Sequence, residues 1–152
     1  MAEIDQIRLL LKELGPTLEL RGIREESDGT SWGLATQDGT VFYLDFMADQ
    51  DRLWLSARVG TAKPEDRAEL YPLLLQYNAQ WQQTGGVRLA LEGPDDAVTL
   101  AYDLPASGLD LPRLCTVVGN FQDMIAGWRK VVEGTAEGNT AAPRAPGAII
   151  RG

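Results

Sequence analysis

Hydrophobic and polar positions are patterned most clearly over residues 32–59, WGLATQDGTVFYLDFMADQDRLWLSARV. In the last part of that stretch Leu53, Leu55, Ala57 and Val59 interleave with Trp54, Ser56 and Arg58. A period of two places an apolar set on one face of a strand. Asp38-Gly39 and Ala48-Asp49-Gln50-Asp51 punctuate the stretch, which predicts three antiparallel strands joined by two tight turns. Asp-Gly between apolar runs is a strong hairpin signal, because glycine takes the positive φ the turn needs. The middle strand, VFYLDFM, is apolar on both faces apart from Asp45. That is the pattern of a central strand covered on two sides, and the flanking helices are expected to supply the cover.

The pattern changes to a helical period before and after this meander. Over residues 3–14, Ile4, Ile7, Leu10, Leu11 and Leu14 fall within roughly 120° of arc, which predicts an amphipathic helix ended by Gly15-Pro16. Leu9 lies on the other side, as a stray exposed residue or as a contact point for a partner. Residues 17–26 read as a short strand or an irregular edge anchored by Leu18, Leu20 and Ile23, followed by the turn Ser27-Asp28-Gly29. A second helix is expected over 64–83, with Pro64 in its first turn. Leu70, Leu73, Leu74, Tyr77 and Trp81 make one stripe on it, and Ala68, Tyr71, Leu75 and Ala79 a second strip at its side. Such a wrap is wider than one core face requires. The second strip is either a dimer interface or, at Tyr71 and Leu75, packed under a loop. Pro72 sits inside the pattern and would cost about 3 kcal/mol in a straight helix, so a kink or a fresh start is expected there.

Thr84-Gly85-Gly86 ends that helix. Val87, Leu89 and Leu91, then Val98, Leu100, Tyr102 and Leu104, alternate with polar or small residues around the turn Gly93-Pro94-Asp95-Asp96, which makes a second hairpin. Over 111–133, Leu114, Val118, Phe121, Ile125, Trp128 and Val132 form one long helical stripe. Gly119 and Gly127 each cost up to about 1 kcal/mol inside a helix, a cost that close backbone packing could justify. Residues 1–133 are thus read as one folded domain of α+β class, with helix, three strands, helix, two strands, helix, an antiparallel sheet covered by helices. Residues 134–152 are small, rich in Pro and Gly and without period, and read as a disordered tail whose one apolar pair is Ile149-Ile150.

Composition narrows the chemistry. The chain has 152 residues, is 44% hydrophobic and 24% charged, and has no apolar run approaching the roughly 20 residues that span a bilayer. Its first residues, MAEIDQIR, lack a signal-peptide layout, so a cytoplasmic location and no membrane insertion are expected. A single cysteine, Cys115, forms no internal disulfide and reads as a small hydrophobe. Histidine is absent, which removes the commonest general base and metal ligand. No metal site and no cofactor are expected. The net charge is −8; residues 134–152 hold one acid and two arginines, a net +1, which leaves −9 on residues 1–133. An acidic body without a basic stripe repels phosphate backbones, so nucleic acid is not the expected partner. The paired carboxylates Glu25-Glu26, Asp49 with Asp51, and Asp95-Asp96 sit in or beside turns, and Glu65-Asp66 at a helix start, where solvated acids are ordinary. Nothing in the pattern marks an enzyme.

The order of elements and the wording of LLLKELG, DGTVFYLDF, LWLSARVG, PEDRAELYPLLLQYNAQWQQTGG, VRLALEGPDDAVTLAYDLP and FQDMIAGWRKVVE resemble the class I type III secretion chaperones, the Tir chaperone (CesT) family. The resemblance covers about residues 3–133. It implies an acidic cytoplasmic homodimer of a Gram-negative bacterium that holds the N-terminal segment of a secreted virulence effector extended and secretion-competent, without ATP. It also implies dimerisation largely through the second helix and an adjacent strand, with Ala68, Tyr71, Leu75 and Ala79 as candidate interface residues. The effector would wind over the first helix and the sheet, partly by strand addition at a sheet edge. Leu9, Tyr43, Met47 and Trp54 are the candidate effector contacts, the last three if the sheet face carrying them is not buried under helices. The alternative is a regulatory interaction domain of the same fold that binds a folded partner.

Overall fold

The computed structural model describes residues 1–134; the tail expected over 134–152, with Ile149-Ile150, lies outside the described residues apart from Gly134. The elements follow in the order α1 (Ile4–Thr17), β1 (Gly22–Glu25), β2 (Ser31–Ala35), β3 (Val41–Met47), β4 (Arg52–Gly60), a 3-10 turn (Pro64–Asp66), α2 (Arg67–Ala79), α3 (Trp81–Thr84), β5 (Arg88–Glu92), β6 (Ala97–Pro105) and α4 (Leu111–Glu133). The six strands form one antiparallel sheet in the order β1-β2-β3-β4-β6-β5. Two compact units divide the described chain, residues 1–56 with 103–119, and 57–102 with 120–134.

In the first unit the meander forms as its alternation requires. Ile23 pairs with Leu34 and Leu34 with Phe42, while Trp32 pairs with Leu44 and Leu44 with Leu55, so each cross-strand row carries its apolar residues to the same face. Leu34, Phe42, Leu44, Leu53 and Leu55 are fully buried. Helix α1 buries Ile7, Leu11 and Leu14. It passes close to β1 at Gly15, where an added Cβ would stand 3.5 Å from the Ile23 side chain. The helix begins with a capping box: the backbone N–H of Glu3 donates to the Gln6 side chain at 3.1 Å. It does not stop at Gly15-Pro16 but runs to Thr17. Pro16 lies in the last turn, so only the carbonyl four residues earlier loses a partner, and Leu18 N–H still donates to the Leu14 carbonyl at 3.0 Å.

In the second unit Leu70, Leu74 and Tyr77 of α2, Val98, Leu100 and Tyr102 of β6, and Phe121, Ile125, Trp128 and Val132 of α4 are all buried. The stripe expected on α4 is therefore the core stripe over its whole length. Tyr77 and Trp128 meet edge to face, centroids 4.9 Å apart at 85°. Burial pushes the Tyr77 phenol up to about 12, and the Trp128 indole lies near enough to offset part of that without making a hydrogen bond. Gly60, at the end of β4, has φ +141°, and a Cβ there would stand 3.1 Å from Val132 Cγ1, so conformation and space both call for glycine.

Three expectations are corrected. Helix α2 continues through Pro72; the break comes at Gln80, where ψ turns to 30° and α3 begins. Trp81 thereby leaves the stripe of Leu70, Leu74 and Tyr77 and is 61% exposed. Close backbone packing does not explain Gly119, because nothing among the described residues lies within 4 Å of a Cβ placed there. Gly119→Ala should accordingly stabilise the fold by up to about 1 kcal/mol, the helix-propensity difference, read as a raised midpoint in urea. The third correction is the open face of β3, described next.

Candidate functional site

The cover expected on both sides of β3 is present on one. Phe42, Leu44 and Phe46 are buried, whereas Val41 is 47% and Tyr43 46% exposed, with Asp45 and Met47 half-buried. The apolar residues of the two faces differ in what lies over them, which their composition does not encode. Register places Tyr43 opposite Ser56, Asp45 opposite Trp54, and Met47 opposite Arg52. Tyr43, Met47 and Trp54 therefore share one face, with the half-buried Trp54 diagonal to the other two. Arg52 is ion-paired with Asp103 on that side of the sheet.

Toward the sheet edge the same face becomes concave. Arg24 pairs with Gly33 and Gly33 with Tyr43; Gly22 pairs with Ala35 and Ala35 with Val41. The two glycines leave a groove of about 460 Å³ with Val41 and Tyr43 along one side and Arg21 and Arg24 at its rim. The Tyr43 ring and Glu26 Oε1 each lie 3.5 Å from where a Gly33 Cβ would be, and nothing among the described residues lies within 4 Å of one at Gly22.

The two sheet edges are unlike. At β5 the Asn78 side chain of α2 accepts from the Leu89 N–H at 2.9 Å and donates to the Leu89 carbonyl at 2.7 Å, which occupies the outward-facing backbone of that one residue as a neighbouring strand would. At β1 the Glu26 N–H donates to Ser31, and the alternation of an antiparallel ladder then points the N–H and C=O of Ile23 and Glu25 away from β2. No hydrogen bond occupies those groups among the described residues.

Leu9 stands apart from this face. It is 57% exposed and borders a shallow groove of about 310 Å³ lined also by Ala2, Gln6, Leu10, Ala106 and Leu109. The wall of that groove is fixed by Asp51. Its carboxylate accepts from the Ser107 hydroxyl and from the Ala2 N–H at 2.9 Å, and its backbone carbonyl accepts from Ala106 N–H at 2.9 Å. The Ser107 bond first, then the Ala2 bond, hold the Asp51 carboxyl below its usual range. A carboxyl depressed on folding stabilises above its unfolded value near 3.8, and that contribution is lost as the pH falls through the folded value. Asp51→Asn should lower the melting temperature at pH 7, and by progressively less as the pH falls below 3.8, read by thermal unfolding across that range.

On α2, Leu75 is 70% exposed, Ala68 and Ala79 are exposed and Tyr71 is half-buried. They recur along one side of the helix, so the second apolar strip is open. The Tyr71 hydroxyl is buried without a hydrogen-bond partner among the described residues. Sequence reasoning missed the Gly22–Gly33 groove, the exposure of Trp81 and the Asn78 contact. Glycines at 22 and 33 were the one signal available for the groove, since glycine inside a strand marks close approach by another group. Among the described residues no cluster of three or more acids or cysteine could hold a metal, and no helix is long and apolar enough to cross a membrane. Cys115 is half-buried, and burial pushes its thiol pKa up, away from the reactive thiolate.

The profile of the Tir chaperone protein (CesT) family matches residues 9–129, most of the chain. The chain belongs to this family. Its fold is that of three solved structures at low sequence identity. The ExsC-ExsE complex aligns with a TM-score of 0.72 and 18% identity, over 87% of this chain and 97% of that one. The HopA1-SchA chaperone-effector complex aligns at 0.65 and 16%, over 86% and 99%. YbjN of E. coli, a proposed transcription regulator, aligns at 0.62 and 19%, over 90% and 93%. Comparison with individually curated protein sequences gave no match.

Proposed function

We propose that this member of the family is a type III secretion chaperone that binds the N-terminal segment of a cognate effector in extended form and keeps it secretion-competent in the cytoplasm. Family membership supports the chaperone role. The observation that carries the mode of binding is a sheet face open at Tyr43, with the half-buried Met47 and Trp54 beside it, next to an edge that no described residue occupies. An extended chain gains backbone hydrogen bonds at such an edge, and side-chain specificity from the face beside it. Leu9 on α1 is a second contact point along the path. The working unit is a homodimer joined through the open strip of α2, with Ala68, Tyr71, Leu75 and Ala79 in the interface. Neither ATP nor another cofactor enters this scheme, since holding a chain extended needs binding energy alone.

The test is capture from the native host, with mass spectrometry of what co-purifies. A stoichiometric partner retained by a fragment of its N-terminal region alone supports the proposal. Retention through a globular domain would instead favour a regulatory interaction module.

A further inference from the structure

Helix α2 carries an open apolar strip, and the chain that follows α4 starts beside it. A Cβ placed on Gly134, just past the end of α4, would stand 3.9 Å from Asp66 Oδ2, at the N-terminal end of α2. Residues 135–152, TAEGNTAAPRAPGAIIRG, therefore leave the fold next to a helix whose Leu75 is 70% exposed, with Ala68 and Ala79 exposed on the same side. Ile149 lies 15 residues beyond Gly134, a contour of about 50 Å. The 13 residues of α2 span only about 20 Å, so the strip is within reach along its whole length. A segment tied so closely to its target meets it at an effective concentration on the order of millimolar.

The chemistry of the two also matches. Ile149-Ile150 is the one run of large apolar residues after Gly134. Arg144 and Arg151 stand on either side of it, and no acid follows Glu137. The approach to α2 and its first turn carry Glu65, Asp66 and Glu69 against Lys63 and Arg67, a local excess of one negative charge. The three acids make no ion pair among the described residues.

We propose that Ile149-Ile150 cover the α2 strip of their own protomer at Leu75, with Arg144 nearer the acids at the helix start, and that this segment thereby competes with a second copy of the chain for the strip. The consequence rests on the homodimer reading; the contact itself does not. Each protomer must release its own segment before two strips can meet, so the cost of release enters the dimer's dissociation constant twice. While copies are few the cover keeps an apolar surface out of water, which guards it against indiscriminate association.

Two measurements on the full chain test this. In a Cys115→Ser background, Leu75→Cys with Ile150→Cys is oxidised at nanomolar concentration, where two copies rarely meet, and the single-chain disulfide is followed by mass. Closure should be about tenfold faster or more than with the cysteine at Gln76, exposed on the same helix but off the strip, or at Leu9. Equal rates at Leu75 and Gln76, or faster closure at Leu9, overturn the proposal. By sedimentation equilibrium, Ile149→Ser with Ile150→Ser should dimerise about tenfold more tightly than the wild-type chain. A dimer of unchanged affinity overturns the proposal as well. Fast closure at Leu75 with both chains monomeric at every concentration upholds the cover and removes the homodimer, so the two readings fail separately.

Discussion

Trp128→Ala should destabilise the protein by about 3–5 kcal/mol, the range for truncating a large buried aromatic residue. Trp128 is fully buried toward the C-terminal end of the α4 stripe and meets Tyr77 of α2 edge to face. Truncation leaves a cavity that cannot close without moving two helices, and it removes the aromatic pair as well. Whole domains are stable by only about 5–15 kcal/mol, so the loss is a large share of the total. It should appear as a fall in melting temperature on the order of 10 °C or more. Tyr77→Phe is the informative companion. The Tyr77 hydroxyl is buried with no hydrogen-bond partner among the described residues, so its removal should leave stability unchanged or raise it. A Tyr77→Phe variant as unstable as Trp128→Ala would mean that the phenol makes a bond essential to the core, contrary to the geometry.

If the working unit is the proposed homodimer, Leu75→Asp should convert it into a monomer. Leu75 is the most exposed of the large apolar residues on α2, flanked along the same side by Ala68, Tyr71 and Ala79. A two-fold interface uses the same patch twice, so one substitution places two carboxylates in it. Truncating a central anchor commonly costs about 2 kcal/mol or more, and a buried unpaired charge adds to that, so dimer affinity should fall at least a hundredfold. Light scattering at micromolar concentration reads the change, and circular dichroism should show the fold intact, because Leu75 adds little to the monomer's core. A wild-type chain that is monomeric at every concentration, or a variant that stays dimeric, would remove α2 from the assembly.

The elements were legible wherever one period ran unbroken. The alternation of Leu53 to Val59 and the 4, 3, 4, 3, 4 stripe of α4 reappear as β4 and as the core face of the longest helix. Trp81 was misplaced because its angular position presumes a continuous helix, and the turn at Gln80 rotates it out to solvent. Pro72 was expected to disturb a helix that in fact runs on past it. The open face of β3 was not legible. Val41 and Tyr43 are as apolar as residues under a helix, and only the placement of the helices distinguishes the two faces. The contact of Asn78 with Leu89 had no signal in sequence either, since it depends on where α2 lies beside β5. The candidate residues Tyr43, Met47 and Trp54 came together because register follows from alternation, whereas Leu9 belongs to a separate groove.

The most direct measurement is backbone amide exchange of the captured partner's N-terminal segment, free and bound to this protein. Rapid exchange is expected along the whole free segment. On binding, protection should appear in a short alternating run, as a strand paired at one edge gives, with no cooperatively protected domain. A segment already protected when free, or one that shows the protection of a folded domain when bound, would contradict the account and make this protein a partner of folded surfaces.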